Sequence, residues 1–259
     1  MSNELLSRLE DHVRAAAGRT RAAVDVGPFR LFIARDTDLV YLNYAVPMDE
    51  PADWLPGIAA LETAARDRGR VPRLEFFAER WPTLAPALDR AGFHCDLAAP
   101  VMTATALPVD IPPLPPGFAV RHLDPADPDG IFDGYIKAGY DSYGMAPPEP
   151  DPARIADLRR DLSTGALCAG FVEAADGAVA TVASILTADG IGELAGVGTR
   201  REWRRQGLAH ALCRDLLRAF FADRGELAWL SAGDEGASRL YRRLGFAEIG
   251  RQLNYSRHA

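Results

Sequence analysis

Cysteine is scarce in this chain of 259 residues. Cys95, Cys168 and Cys213 are odd in number and far apart. They offer neither a disulfide framework nor metal-ligand spacing, which excludes a stapled secreted scaffold and points to a reducing cytoplasm. Histidine is scarce as well, with five residues and no HxxxH pair, so no metal site is expected. Long apolar runs are missing: nothing approaches the ~20 apolar residues of a membrane span. The opening "MSNELLSRLEDHVRAAAG" is amphipathic and charged throughout, unlike a signal peptide. Positive charge is not in excess. The formal net charge of -7 and the pI of about 5.3 argue against a nucleic-acid partner. There is no Gly-Lys-Ser/Thr, so no Walker nucleotide loop. What is present is ordinary for a globular protein, 48% hydrophobic and 25% charged, at a length that allows one large domain or two small ones.

The proline-rich "LPVDIPPLPPGF" at 107–118 is the clearest break, because closely spaced prolines favour stiff, extended chain. It divides the sequence into residues 1–107, a linker at 108–116, and residues 117–259. The two sides repeat one plan. The first has "LETAARDRG", then "RLEFF", then "LAPALDRAGF" ending at Phe93. The second has "LCRDLLRAFFADRG", then "ELAWL", then "ASRLYRRLGF" ending at Phe246. Each side reads as helix, strand, short helix, Gly-Phe and a final extended stretch, at matching spacing. The expected fold class is α/β (α+β): two related units, each a mixed, mostly antiparallel sheet flanked by helices. In the second half, 167–199 reads as three antiparallel strands turning at Asp176-Gly177 and Asp189-Gly190, where Gly supplies the positive φ of a tight hairpin. A helix over about 205–222 follows, apolar every four residues at Leu208, Leu212, Leu216 and Phe220. A strand at "LAWLS", a short helix and a last strand complete that half's sheet.

The join between strand and helix, "VGTRREWRRQGLAHAL" at 197–212, crowds Arg200, Arg201, Arg204 and Arg205 at a helix start. The helix dipole is already positive there, and no run of Asp or Glu offsets it. Free backbone N–H groups at such an end, beside a glycine that lets a ligand approach closely, suit a diphosphate. Gly207 is that glycine, the small Ala209 keeps the next turn clear, and Arg204 and Arg205 can add charge-assisted hydrogen bonds.

"RRQGLA" at 204–209 resembles the Arg/Gln-x-x-Gly-x-Gly/Ala pyrophosphate loop of the GNAT acetyltransferase superfamily. "GELAGVGT" before it, the amphipathic helix after it and "ASRLYRRLGF" downstream resemble the family's setting for that loop. The resemblance covers about 117–259. The first half is similar through "LVYLNYAVP", "RLEFF" and "LDRAGF". It lacks the loop, and Asp49, Glu50 and Asp53 stand where a pyrophosphate would be repelled. The resemblance implies a tandem protein with a degenerate N-terminal copy and a working second copy.

It also implies acetyl-CoA as cosubstrate, an amine of a small molecule or peptide as acceptor, direct transfer in a ternary complex and no metal. Arg204, Arg205, Gln206, Gly207, Leu208 and Ala209 would hold the diphosphate, and Val197, Gly198 and Thr199 the pantetheine arm. Asp234 occupies the place of an Asn that often touches the arm, or it caps the helix that follows. Tyr241 matches the acid that protonates the leaving thiolate, although it also lies on an apolar helix face with Ala237, Leu240 and Leu244. Glu193 stands where some members carry a general base; a solvated Glu near a turn is the other reading. The acceptor side is expected near 139–152, with Tyr140, Tyr143 and Met145 as walls and Asp141, Glu149 and Asp151 as negative charge. The alternative from another class is a non-catalytic acyl-CoA sensor or interaction module. The expected setting is cytoplasmic, as a monomer or homodimer, with no membrane or nucleic acid.

Overall fold

The computed structural model describes residues 2–35, 37–107, 114–223 and 225–258. Most of the proline-rich boundary, 108–113, lies outside the described residues. In chain order the elements are α1 (Ser2–Thr20), β1 (Arg21–Val26), β2 (Phe29–Ala34), β3 (Tyr44–Pro47), α2 (Leu55–Arg66), β4 (Arg73–Phe77), α3 (Leu84–Arg90) and β5 (His94–Ala104). They continue with β6 (Phe118–His122), α4 (Asp129–Ser142), α5 (Pro152–Ser163), β7 (Leu167–Ala174), β8 (Val179–Ala188) and β9 (Ile191–Thr199). The chain ends with α6 (Leu208–Ala222), β10 (Leu227–Ser231), α7 (Glu235–Arg243) and β11 (Ala247–Ser256). By its contacts the chain gathers into two units. One comprises Met1–Met102, Ser231–Ser238 and Glu248–Ala259; the other comprises Thr103–Leu230 and Arg239–Ala247.

In the first unit the strand order is β1-β2-β3-β4-β11-β5. The β1–β2 and β2–β3 ladders are antiparallel, and β3 runs parallel to β4 after the α2 crossover. The last strand departs from the sequence reading, which has it completing the second half's sheet. Instead β11 pairs antiparallel with β4, from Gln252↔Phe77 to Ser256↔Arg73. Side-chain pattern explains the choice. Leu253 and Tyr255 stand opposite Phe76 and Leu74 and join the same apolar core with Trp54, Leu61 and Phe93. Directly opposite residues share a face, and on the other face Gln252 donates to Oε2 of Glu75 at 3.1 Å.

The second unit has the order β10-β9-β8-β7-β6. Its β6–β7, β7–β8 and β8–β9 ladders are antiparallel, and β9–β10 is parallel across the α6 crossover. Each unit is therefore a mixed, mostly antiparallel sheet flanked by helices, as the sequence indicates. The Asp189-Gly190 turn has φ of 49° and 73°, the two positive values of a tight hairpin, and it sets Ala188 against Ile191. Alternation along β7 divides the two faces. Leu167, Ala169 and Phe171 join Phe132, Ile136 and Ile155 under α4 and α5. Gly170 faces the other way, toward Leu212 and Leu216 of α6. A Cβ on Gly192 would press on Phe220 at 2.8 Å, so glycine at both positions lets α6 lie close against the sheet. The expected stripe of Leu208, Leu212, Leu216 and Phe220 is buried there. The helix itself starts at Leu208 rather than 205, because Arg205 (φ 66°) and Gly207 (φ 81°) adopt left-handed backbone that cannot continue a helix.

Candidate active site

The pairing of β9 changes twice along its length. It meets β10 at Leu227↔Ile191, Ala228↔Gly192 and Trp229↔Glu193, while β9 itself runs on through Leu194–Thr199. Two parallel strands that pair briefly and then part leave a row of backbone N–H and C=O groups along the parting edge. On the other side, Ser184↔Ala195 and Val182↔Gly198 place three steps of β9 against two of β8. The extra residue is a β-bulge at Gly196, whose φ of 62° suits glycine. Gly198 is the second point of close approach, since any Cβ there would collide with Oγ of Ser142 at the end of α4. The three glycines of "GELAGVGT" are the sequence signal for a bulge and a close contact.

From Thr199 the chain makes a short 3-10 turn, Arg201–Trp203, and enters the arginine-rich loop. Gly207 is the N-cap of α6, and no side chain caps the helix there. Ala211 N donates to Gly207 O at 3.0 Å, so the N–H groups ahead of Ala211 have no turn of helix to bond to. Arg205, Gln206 and Gly207 are exposed; Leu208 is buried, anchoring the loop from below. Next to the loop, His210 has its pKa held below the usual value by burial and by Arg243 and Arg214, so it is neutral at pH 7 and adds no charge.

Two of the four arginines crowded at the helix start are engaged by the protein itself. Arg200 pairs with Asp141 of α4 at 2.8 Å. Arg204 donates from Nε to Thr199 O at 3.0 Å and from Nη2 to Ser142 O at 2.7 Å, a placement different from that of the diphosphate ligand the sequence suggested. The acidic wall expected near 139–152 is altered in the same way. Asp141 is balanced by Arg200, and Asp151 caps α5 by accepting from Ala153 N at 2.9 Å.

Tyr143 is exposed, and its hydroxyl donates to Val197 O at 3.2 Å, which joins an expected acceptor-side residue to an expected arm-binding residue. Tyr140 instead packs between α4 and α5: Arg154 lies 5.3 Å over its ring and donates to its hydroxyl at 3.0 Å. Met145 follows the end of α4 and is half-buried. Glu193 stands opposite Leu186 on β8, and Leu186 packs with the core under α4 and α5, so Glu193 lies on that face of the sheet. Tyr241, on α7, is 8% exposed and meets the edge of Phe246 at 6.0 Å between ring centres. Asp234 accepts from Ala237 N at 2.7 Å and so caps α7. Two of the three thiols are held in the protonated form: burial pushes Cys213 up to about 12, and burial with Asp215 and Asp223 pushes Cys168 up to about 11. Among the described residues no group of His, Cys, Asp or Glu could hold a metal ion, and no helix is long and apolar enough to cross a membrane.

The first unit offers a contrast at its own crossover helix. Leu55 N at the start of α2 donates to Oδ1 of Asp53 at 3.0 Å, and Glu50 accepts from Thr83 Oγ1 at 2.7 Å. A proline also stands in the first turn of α2 and supplies no N–H. The first N–H of this helix is thus met by a carboxylate of its own chain.

Among known families, the model described as FR47-like protein matches residues 165–255, the segment that builds β7 to β11. No curated protein matches. Among solved structures, the chain is similar to a GCN5-related N-acetyltransferase from Kribbella flavida, 25% identical, with a TM-score of 0.77 over 98% of this chain and 96% of that one. A GCN5-related N-acetyltransferase from Sphaerobacter thermophilus is 18% identical, with a TM-score of 0.65 over 99% and 92%. A tandem GNAT protein from the clavulanic acid biosynthesis pathway, solved without AcCoA, is 17% identical, with a TM-score of 0.59 over 88% and 78%; these last two likenesses are of fold. With a bulged β9, a parting β10 and an open helix start behind the loop, the chain has the fold of the GNAT N-acetyltransferases it is similar to, a fold that serves acyl transfer.

Proposed function

We propose that this protein is an acetyl-CoA-dependent N-acetyltransferase that moves the acetyl group to a primary amine of a small molecule or peptide within a ternary complex. One observation carries the reading: the parting of β9 from β10 leads into a loop whose helix start has no cap from its own chain. A thioester arm needs the first feature and a diphosphate needs the second. In this reading Val197, Gly198 and Thr199 pair with the pantetheine arm. The N–H groups about Gln206, Gly207, Leu208 and Ala209 take the diphosphate, with Arg205 adding charge.

The chemistry requires a neutral amine, a stabilised oxyanion and a proton for the thiolate. Glu193 takes the amine's proton, directly or through water. The amine nitrogen attacks the thioester carbonyl, the C–S bond breaks, and Tyr241 gives its proton to the departing sulfur. Asp234 serves as the α7 cap. Tyr143 and Met145 flank the acceptor, and the packing of Tyr140 against Arg154 argues for support rather than contact.

The first unit is a degenerate copy: the Asp53 carboxylate accepts from the first N–H of α2, at the place where its diphosphate would sit. The tandem arrangement takes 1–107 as that copy, 108–116 as linker and 117–259 as the working copy, with β11 lent to the first unit's sheet. The acidic balance supports a cytoplasmic enzyme without nucleic-acid or membrane partners, as monomer or homodimer.

The test is a panel of primary amines, from polyamines to peptide amines, offered with acetyl-CoA and read as free thiol. The expected result is thiol release that depends on the amine and is matched by acetylated product. Acetyl-CoA binding with no transfer to any amine would favour the non-catalytic module.

A further inference from the structure

We infer that Arg204 is a positioning residue that fastens the last turn of α4 to the cofactor loop, so that a ligand held by the loop also restrains the acceptor side. The inference rests on the loop being the acetyl-CoA site. A guanidinium is a rigid planar fork of N–H donors. Here one prong bonds Thr199 O, at the end of β9, and another bonds Ser142 O, at the end of α4. Both acceptors are backbone carbonyls, and the second lies at the negative end of a helix dipole, where a cation is favoured. Swinging Arg204 onto a diphosphate would break both bonds and leave two carbonyls to find new donors.

The fork is reinforced on both sides. Asp141, one residue before Ser142, pairs with Arg200 at 2.8 Å. Tyr143, one residue after, donates to Val197 O at 3.2 Å. Between these ties, Gly198 has no side chain, which lets Ser142 pack flush on β9. Three consecutive residues of α4's end are thus tied to the strand and loop that would carry the cofactor. The segment that follows, from Gly144, is rooted at this point. Opening the last turn of α4 therefore disturbs the loop, and a ligand that stabilises the loop opposes that opening by mass action, up to about a hundredfold at a hundred times Kd.

The experiment is hydrogen exchange on the full chain with and without acetyl-CoA, together with acetyl-CoA affinity measured across ionic strength. The amides of Tyr143, Gly144 and Met145, bonded to the Tyr140 and Asp141 carbonyls, are the reporters. In the wild type, acetyl-CoA slows exchange at 143–145 as well as at 205–212. In Arg204→Lys, which keeps the charge and loses the fork, slowing at 205–212 persists and slowing at 143–145 falls at least about tenfold. In Arg204→Gln, affinity falls and its salt dependence stays at the wild-type value; in Arg205→Gln the salt dependence weakens, since salt screens a charge that meets the ligand. Undiminished slowing at 143–145 in Arg204→Lys, or a weakened salt dependence in Arg204→Gln, overturns the inference and makes Arg204 a phosphate ligand. Wild-type protein with no slowing at 205–212 would instead overturn the cofactor reading. Faster exchange at 143–145 in ligand-free Arg204→Lys than in ligand-free wild type would then still register the fastening.

Discussion

Tyr241→Phe is expected to bind acetyl-CoA as the wild type does and to lose about 10²–10⁴ in kcat. The ring is 8% exposed and packs edge-on against Phe246, and phenylalanine fills the same space. Only the hydroxyl is removed, so the thiolate must take its proton from water. Without an adjacent acid the departing thiolate is protonated only by solvent, and the deficit narrows as the pH falls and solvent protonates it more readily. The measurement is steady-state kinetics with an acceptor from the amine panel, under conditions where chemistry limits the rate. Wild-type turnover by the variant would make Tyr241 a core residue only. Loss of cofactor binding would make it part of the pocket wall and remove the observation for its acid role.

Gly207→Asp is expected to abolish the stabilisation that acetyl-CoA gives. At a hundredfold excess over Kd, wild-type protein gains about 2.7 kcal/mol, a rise in Tm of roughly 5–10 °C for a chain of this size. Gly207 sits at φ 81° as the N-cap of α6, and an aspartate there brings a carboxylate to the N–H groups that would serve the diphosphate. The first unit already has that arrangement, with Asp53 accepting from Leu55 N. Gly207→Ala is the control. A Cβ there meets nothing within 4 Å, so alanine adds backbone strain of about 1–2 kcal/mol and no charge. It should keep a ligand-induced rise in Tm, from a lower starting point. An undiminished rise in Gly207→Asp would mean that the cofactor binds elsewhere.

The repeated plan was legible because it is written in local patterns. Asp189-Gly190 marks a hairpin, the four-residue apolar stripe marks α6, and Gly-Phe after a short helix marks each unit's close. The loop was legible for the same reason: Arg-Gln-Gly-Leu-Ala is contiguous. What the sequence hid is non-local. Nothing in "AEIGRQLNYS" reveals that β11 chooses β4, since its alternation fits any half-buried sheet; the choice depends on Leu253 and Tyr255 meeting Phe76 and Leu74. The fate of Arg204 was hidden too. An arginine beside a phosphate loop invites a phosphate contact, and only the fold brings Ser142, 62 positions away, to its guanidinium. Asp141 looked like acidic lining until Arg200 stood beside it.

The central proposal is one acetyl-CoA site per chain, built on β9 and the loop before α6, with the first unit's counterpart closed by Asp53. Titration calorimetry of the full chain with acetyl-CoA tests it most directly. The account predicts one equivalent bound in the wild type and none in Gly207→Asp. Two equivalents in the wild type, or one that survives in Gly207→Asp, would contradict it.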